Sequence, residues 1–442
     1  MFTKKPTILA LSLVLVFVVA LGVPGQAFDP AEEFGEIDFK GETVTYVGYY
    51  NPFEEWFYEG GYFPGRLEEA KEIFNIGEIE FLEVPWGEEM TEAQMARLMA
   101  GDSNNDIWMT ILGETWSMAA DGAYYPLSDI LPDAYYDNMP QDIAQMFSNL
   151  EIEGTSYVFG VENSHRDIIQ FVAWNRDLFE REGLPPLDEL YLEGEWTWDM
   201  MEQIALDAQR DTTGDGEIDQ LGISNVDEWI LVVANGGQIV ATDENGNQQF
   251  VMPDDEAALY GLEKAYEWVE EFGFGQDTWD AQAFRAGNSA MCFTQQWQFA
   301  DIDEDMDESW SIVPVPRGPH ADDISFPVNG FDSAAIPANA DNPEGLVALH
   351  TFLYHPEEFE QMYENMIAEE APDRISARVL DEARIRGAED TFLFGDAIGY
   401  WDYEWTLRET LEEILEEGET AATALQAIRP EVQARLDETL GQ

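Results

Sequence analysis

The alternation of apolar and polar positions is most informative between Tyr157 and Leu184. Tyr157 to Val161 and Ile168 to Trp174 are β-branched and aromatic runs that predict two strands, and the polar stretch Asn163 to Asp167 between them predicts a short reversal or crossing. The second run ends in Asn175-Arg176-Asp177, where Asn175 or Asp177 can cap a helix begun by Leu178 and Phe179; Gly183, Pro185 and Pro186 then stop it. Two neighbouring apolar strands at this point of a long chain predict a crossover between two lobes. A ligand cleft would lie beside Glu162 and Asn163.

The same patterning extends in both directions. Glu42 to Tyr50 alternates as a strand and opens into Asn51-Pro52, Leu67 to Phe74 has helical spacing, Ile79 to Val84 is a strand, Glu88 to Ala100 a helix stopped by Gly101, and Asp106 to Met109 a short buried strand. This βαβαβ order predicts an α/β lobe. Further on, Thr197 is placed to cap a helix reaching Gln209, and Trp229 to Val240 is apolar until it breaks at Asn235-Gly236-Gly237. Ala257 to Phe272 reads as an amphipathic helix, Phe284 to Phe293 as a helix end running into a strand, and Trp310 to Pro316 as a second crossing. Asn329 to Pro337 predicts a strand, Pro343 to Leu353 a helix, and the remainder is mostly helical.

Length and charge narrow the picture. A chain of 442 residues is long for one domain, and 45% apolar residues suffice for two cores. With 20 Lys plus Arg against 91 Asp plus Glu, the net charge of −71 excludes a nucleic-acid partner, because phosphate binding needs clustered cations. The acids are spread along the whole length, which predicts a solvated, self-repelling acidic surface of the kind a saline habitat favours. At the N-terminus, Lys4 and Lys5 precede the apolar run Ile8 to Val23, and Gly25-Gln26-Ala27 offers small residues for a signal peptidase. A signal peptide of residues 1–27, cut after Ala27, is expected, followed by a soluble monomeric chain with no second membrane span. Cys292, the single cysteine, leaves neither an internal disulfide nor a lipid-anchored N-terminal cysteine.

Two kinds of candidate chemistry remain. Asp211, Thr213, Asp215, Glu217 and Asp219 place oxygens in a loop around Gly216, as in an EF-hand-like calcium loop, although Gly222 stands where the closing bidentate Glu would be. A structural calcium ion is therefore expected there. Catalytic signatures are weak: the four histidines lack metal spacing, and Ser289 lacks the second glycine of a nucleophile elbow. Aromatics carry more. Tyr49, Tyr50, Trp108, Trp116, Trp229, Trp297, Trp401 and Trp405 all sit near polar residues at predicted element ends, and flat rings pack on the apolar faces of sugars while acids and amides take the hydroxyls.

The order of motifs resembles extracellular solute-binding protein family 1, the carbohydrate-binding components of ABC importers. The carrying residues are Tyr157 to Asn163 followed by Trp174 to Phe179, Thr197-Trp198, Asn235-Gly236-Gly237, Ala290-Met291, Trp297, Pro314-Val315-Pro316, Gly330-Phe331 and Asn342-Pro343-Glu344. The resemblance implies an α/β, two-lobe periplasmic-binding-protein fold (type II), its hinge-linked lobes each holding a mixed sheet flanked by helices. One lobe would comprise 28–165 with 312–356, and the other 167–310 with 357–442. It also implies that Glu162 and Asn163 meet the sugar before the crossing, that Trp297 stacks on it, that Trp401 or Trp405 starts a late helix, and that Tyr49, Tyr50, Asn51 and Gly330 line the same cleft. Arg166 is a candidate for an acidic sugar. The implied role is a non-catalytic carrier delivering an oligosaccharide to a membrane permease outside the cytoplasm. A secreted glycoside hydrolase, or a carrier of peptides or polyamines, are the alternatives.

Overall fold

The computed structural model describes residues 34, 36–110, 114–128, 130, 131, 135, 139–152, 154–160, 165–244, 247–275, 281–328, 333–390 and 419–441. The expected signal peptide, Glu162, Asn163, Gly330, Trp401 and Trp405 lie outside the described residues. In chain order the strands are β1 (Thr43–Gly48), β2 (Glu78–Glu83), β3 (Asp106–Met109), β4 (Val158–Phe159), β5 (Gln170–Asn175), β6 (Leu221–Ser224), β7 (Val240–Thr242), β8 (Gln248–Phe250), β9 (Ser289–Gln295), β10 (Trp310–Pro314) and β11 (Ala334–Ala335).

Two main sheets divide the chain. The first has the order β2-β1-β3-β11-β4, the second β10-β5-β9-β6, and β7 and β8 form a hairpin. In the first sheet β1 runs parallel to β2 and β3, while β11 is antiparallel to β3 and β4. In the second, β5 is antiparallel to β9 and β10, and β6 is parallel to β9.

The second sheet explains why its strands read as unbroken apolar runs. Alternate residues split between two cores: Val172, Trp174, Met291, Phe293 and Val313 belong to one, and Phe171, Ala173, Cys292 and Ile312 to the other. Both faces are covered, so neither face selects polar residues. Cys292 is buried here, as its apolar neighbours suggest. Helix ends follow local chemistry. The Asn175 side chain accepts from Leu178 N–H at 2.8 Å and caps Arg176–Glu182, which stops at Gly183 with φ 69°, a left-handed value that glycine adopts without strain.

The chain passes between sheets more than once. It leaves the end of β4 at Phe159, re-enters through a 3-10 turn at His165–Ile168, and returns between Pro314 and Ala334. The boundary expected near 310–312 falls inside β10, which pairs along its length with β5 in the second sheet. Proline at 314 is compatible with this because β10 is an edge strand. Pro343–Leu353 packs into the first core, whereas Arg374–Glu389 straddles the two, with Val379, Leu380 and Ala383 in the second lobe's core and Ala388 in the first. Ala421–Thr439 closes a third cluster over Glu228–Ala234 and Glu256–Tyr266.

Candidate functional site

The strand directions define an edge on each sheet. β1, β2, β3 and β4 all end on one side of the first sheet; β6, β9 and β10 all end on one side of the second, from which β5 starts. Both crossings run between these two edges, and the carboxyl ends of strands are where α/β sheets take ligands.

On the second lobe the edge carries a built turn. Residues Gln295 to Gln298 follow β9 as a capping box: Gln298 Oε1 accepts from Gln295 N–H at 3.0 Å and from the Thr294 hydroxyl at 2.9 Å. Gln296 and Gln298 are each 4% exposed, and Gln296 Oε1 accepts from the Tyr363 hydroxyl at 2.9 Å. Trp297, between them, is 42% exposed, and its indole N–H donates to Gln295 Oε1 at 2.6 Å. Half-buried Gln295 thus holds the open ring, on a turn that buried Gln296 and Gln298 fix in place. The sequence pattern singled out Trp297 but not its three glutamines or Tyr363; the signal available was the Gln-Gln-Trp-Gln run itself.

On the first lobe the edge is more varied. Tyr49, Tyr50 and Asn51 are half-buried where β1 opens, and Asn51 Oδ1 accepts from Phe53 N–H at 3.1 Å. Gly48 ends the strand where a Cβ would come within 2.6 Å of Met109 Sδ, so a larger residue there would have to push the Met109 side chain aside. Three exposed rings not anticipated from sequence, Tyr58, Tyr62 and Trp86, stand on the loops that follow β1 and β2.

Trp108 and Trp229 correct the expectation that they face the cleft. Both are fully buried. Trp108 lies in the first core with its N–H donating to Asp106 Oδ2 at 3.1 Å, and it lines a small cavity of about 20 Å³ with Tyr46, Met109 and His350. Trp229 lies in the third cluster on the helix Glu228–Ala234. Trp116 is half-buried, donates to the Leu150 carbonyl at 3.0 Å and packs against both the first core and the third cluster, where it bridges the lobes.

Arg166 is also corrected. It is 1% exposed, bidentate to Asp142 at 2.7 and 2.9 Å, bonded to Glu360 at 2.8 Å, and its guanidinium lies 4.4 Å from the Tyr363 ring centre. Burial opposes its charge, but the Asp142 carboxylate more than offsets this and holds the Arg166 pKa above its ordinary value. A guanidinium so engaged is a structural tie and does not face an acidic sugar.

The Asp211 to Asp219 loop has its expected turn, Gly216 sitting at φ 99°. Its carboxylates, however, serve backbone donors: Asp211 accepts from the N–H groups of Gly214 and Gly216 at 2.6 and 2.7 Å, and Asp219 from Thr212 N–H and hydroxyl, both at 2.6 Å. These bonds, the Gly216 one foremost, hold Asp211 below the usual carboxylate range. Among the described residues no three His, Cys, Asp or Glu side chains converge as a metal site.

A family model for bacterial extracellular solute-binding proteins matches residues 66–371, well over half of the chain. The chain is a bacterial extracellular solute-binding protein. Its family works outside the cytoplasmic membrane, and among the described residues no helix is long and apolar enough to cross one. Solved structures agree on the fold. The solute-binding chain is similar to the ABC substrate-binding protein Lmo0181 from Listeria monocytogenes in complex with cycloalternan (17% identity, 90% of this chain and 99% of that one, TM-score 0.62). It is similar to the Bdellovibrio bacteriovorus maltose/maltodextrin-binding domain MalE bound to maltotriose (14%, 90% and 100%, TM-score 0.60). It is also similar to CpMnBP1 with mannotriose bound (17%, 88% and 99%, TM-score 0.62). No curated protein matches the sequence closely enough to count as a relative.

Proposed function

We propose that this solute-binding protein captures an oligosaccharide between its two lobes, releases it unchanged, and acts as the carrier component of an ABC importer. The observation that carries the reading is Trp297, an exposed indole locked by Gln295 on a turn of buried glutamines at the ligand edge of the second lobe. An apolar ring face beside amides is the chemistry that packs on a pyranose and takes its hydroxyls. Three similar structures hold cycloalternan, maltotriose and mannotriose, which favours a glucose- or mannose-built chain over a peptide or polyamine. Glu162 and Asn163, just past β4, are proposed to reach the same ligand. Closure would work by population shift: a sugar touching both lobes favours the closed form that a permease recognises.

The test is a thermal-shift series with maltose- and mannose-series oligosaccharides, followed by chromatography of the recovered sugar. A raised melting temperature with intact sugar supports the carrier. Cleavage products would make the chain a hydrolase. Calcium at the Asp211 to Asp219 loop stands as a separate proposal on sequence spacing alone; calorimetric titration of chelator-treated protein with calcium decides it, and no heat at millimolar calcium ends it.

A further inference from the structure

The turn that presents Trp297 is tied to the crossing between lobes at two points. Gln295, which accepts the Trp297 indole N–H, donates its own amide to the Ile168 carbonyl at 3.1 Å, at the end of the crossing turn His165–Ile168. Gln296 accepts from the Tyr363 hydroxyl, and the Tyr363 ring lies under Arg166 of the same crossing turn. Arg166 is in turn gripped by Asp142, which sits on Gln141–Asn149, a helix anchored in the first core by Ile143, Met146 and Phe147. A line of contacts therefore runs from the first lobe through Asp142, Arg166 and Tyr363 to Gln296, the residue bonded through the backbone to Trp297 on the same turn. Tyr363, Gln296 and Arg166 are all more than nine-tenths buried, so water does not replace these bonds readily when one partner is lost.

We propose that Tyr363 is a positioning residue for the Trp297 platform and that Arg166 sets Tyr363, so that the ring meeting the ligand is registered to the hinge as well as to its own sheet. Lobe orientation and indole pose are then one adjustment, and a ligand that stacks on Trp297 acts directly on the crossing. The positional half of this inference needs no sugar; the ligand half rests on the oligosaccharide reading.

Tyr363→Phe keeps the ring under Arg166 and removes only the hydroxyl. Amide hydrogen exchange of 295–298 in the free protein is expected to rise about five-fold, the factor for one net hydrogen bond, with β9 amides 289–294 unchanged. Unchanged exchange at 295–298, or a rise spread evenly through the second lobe, would overturn the proposal. If Tyr363→Phe does not fold, Gln296→Met removes the same bond from the other side and carries the same readout. With maltotriose and mannotriose as probes, Tyr363→Phe is expected to weaken binding several-fold in the native background and to have no further effect beside Trp297→Ala. Equal weakening in both backgrounds would place the effect elsewhere and sink the idea. If neither sugar binds the unmodified protein, the oligosaccharide reading is at fault, and the exchange result still decides the positioning role.

Discussion

Trp108 and Trp297 occupy similar places in the two lobes, the first at the end of β3 and the second just past the end of β9, yet one is wholly buried and the other is 42% exposed. The difference lies in what the neighbouring polar side chain does. Asp106 is 2% exposed; it turns inward, accepts the Trp108 indole and is clamped by Arg97 at 2.6 and 2.8 Å. Gln295 instead holds the indole from the side, at the turn where the strand ends and the ring stays 42% exposed. A polar neighbour therefore marks an exposed aromatic only where it is not itself an inward partner.

The largest effects should separate core from platform. Trp108→Ala is expected to cost about 3–5 kcal/mol of stability in urea unfolding through the cavity it leaves. Asp142→Ala, which strands the buried Arg166 charge, belongs in the same range of about 3–5 kcal/mol. Comparable losses from Trp297→Ala would erase the contrast. For Trp297→Ala the expectation is a stability change within about 0.5 kcal/mol but a roughly ten-fold loss of oligosaccharide affinity, about 1.4 kcal/mol.

A middle-sized effect concerns the caps and turns that carry the platform's lobe. Asn175→Ala removes the acceptor of Leu178 N–H and should cost about 1 kcal/mol, read as a small drop in the urea midpoint with no change in sugar affinity. The smallest effect lies at the surface. The folded pKa of Asp211 is depressed, so the order it gives its loop is present above the ordinary Asp value and is lost as pH falls through the depressed one. An NMR titration should show Asp211 protonating below an unstructured Asp; an ordinary titration would mean that its bonds to Gly214 and Gly216 do not persist.

Much of the fold was legible because hydrophobic period and stop signals agree. Glu88–Ala100, Asp106–Met109 and Pro343–Leu353 fall on the bounds that the pattern predicts, Thr197 caps its expected helix, and of the two candidates Asn175 and Asp177 it is Asn175 that caps Arg176–Glu182. Trp310 to Pro316 was read as a crossing, and its first part is the edge strand β10, where a proline is tolerated, the chain leaving for the first sheet only after Pro314. Trp229 was misread because Glu228–Ala234 is buried nearly all round, so its polar flanks say nothing about its faces. Arg166 was out of reach of sequence, its partners lying 24 and 194 residues away. The glutamines around Trp297 were in plain view, but amides announce a role only once their hydrogen bonds are known.

Calorimetric titration of maltotriose and mannotriose into the unmodified protein and into Trp297→Ala tests the central claim most directly. The account predicts saturable binding of at least one sugar, weakened about ten-fold by the substitution, with the sugar recovered whole. Equal affinity in the two proteins would contradict it.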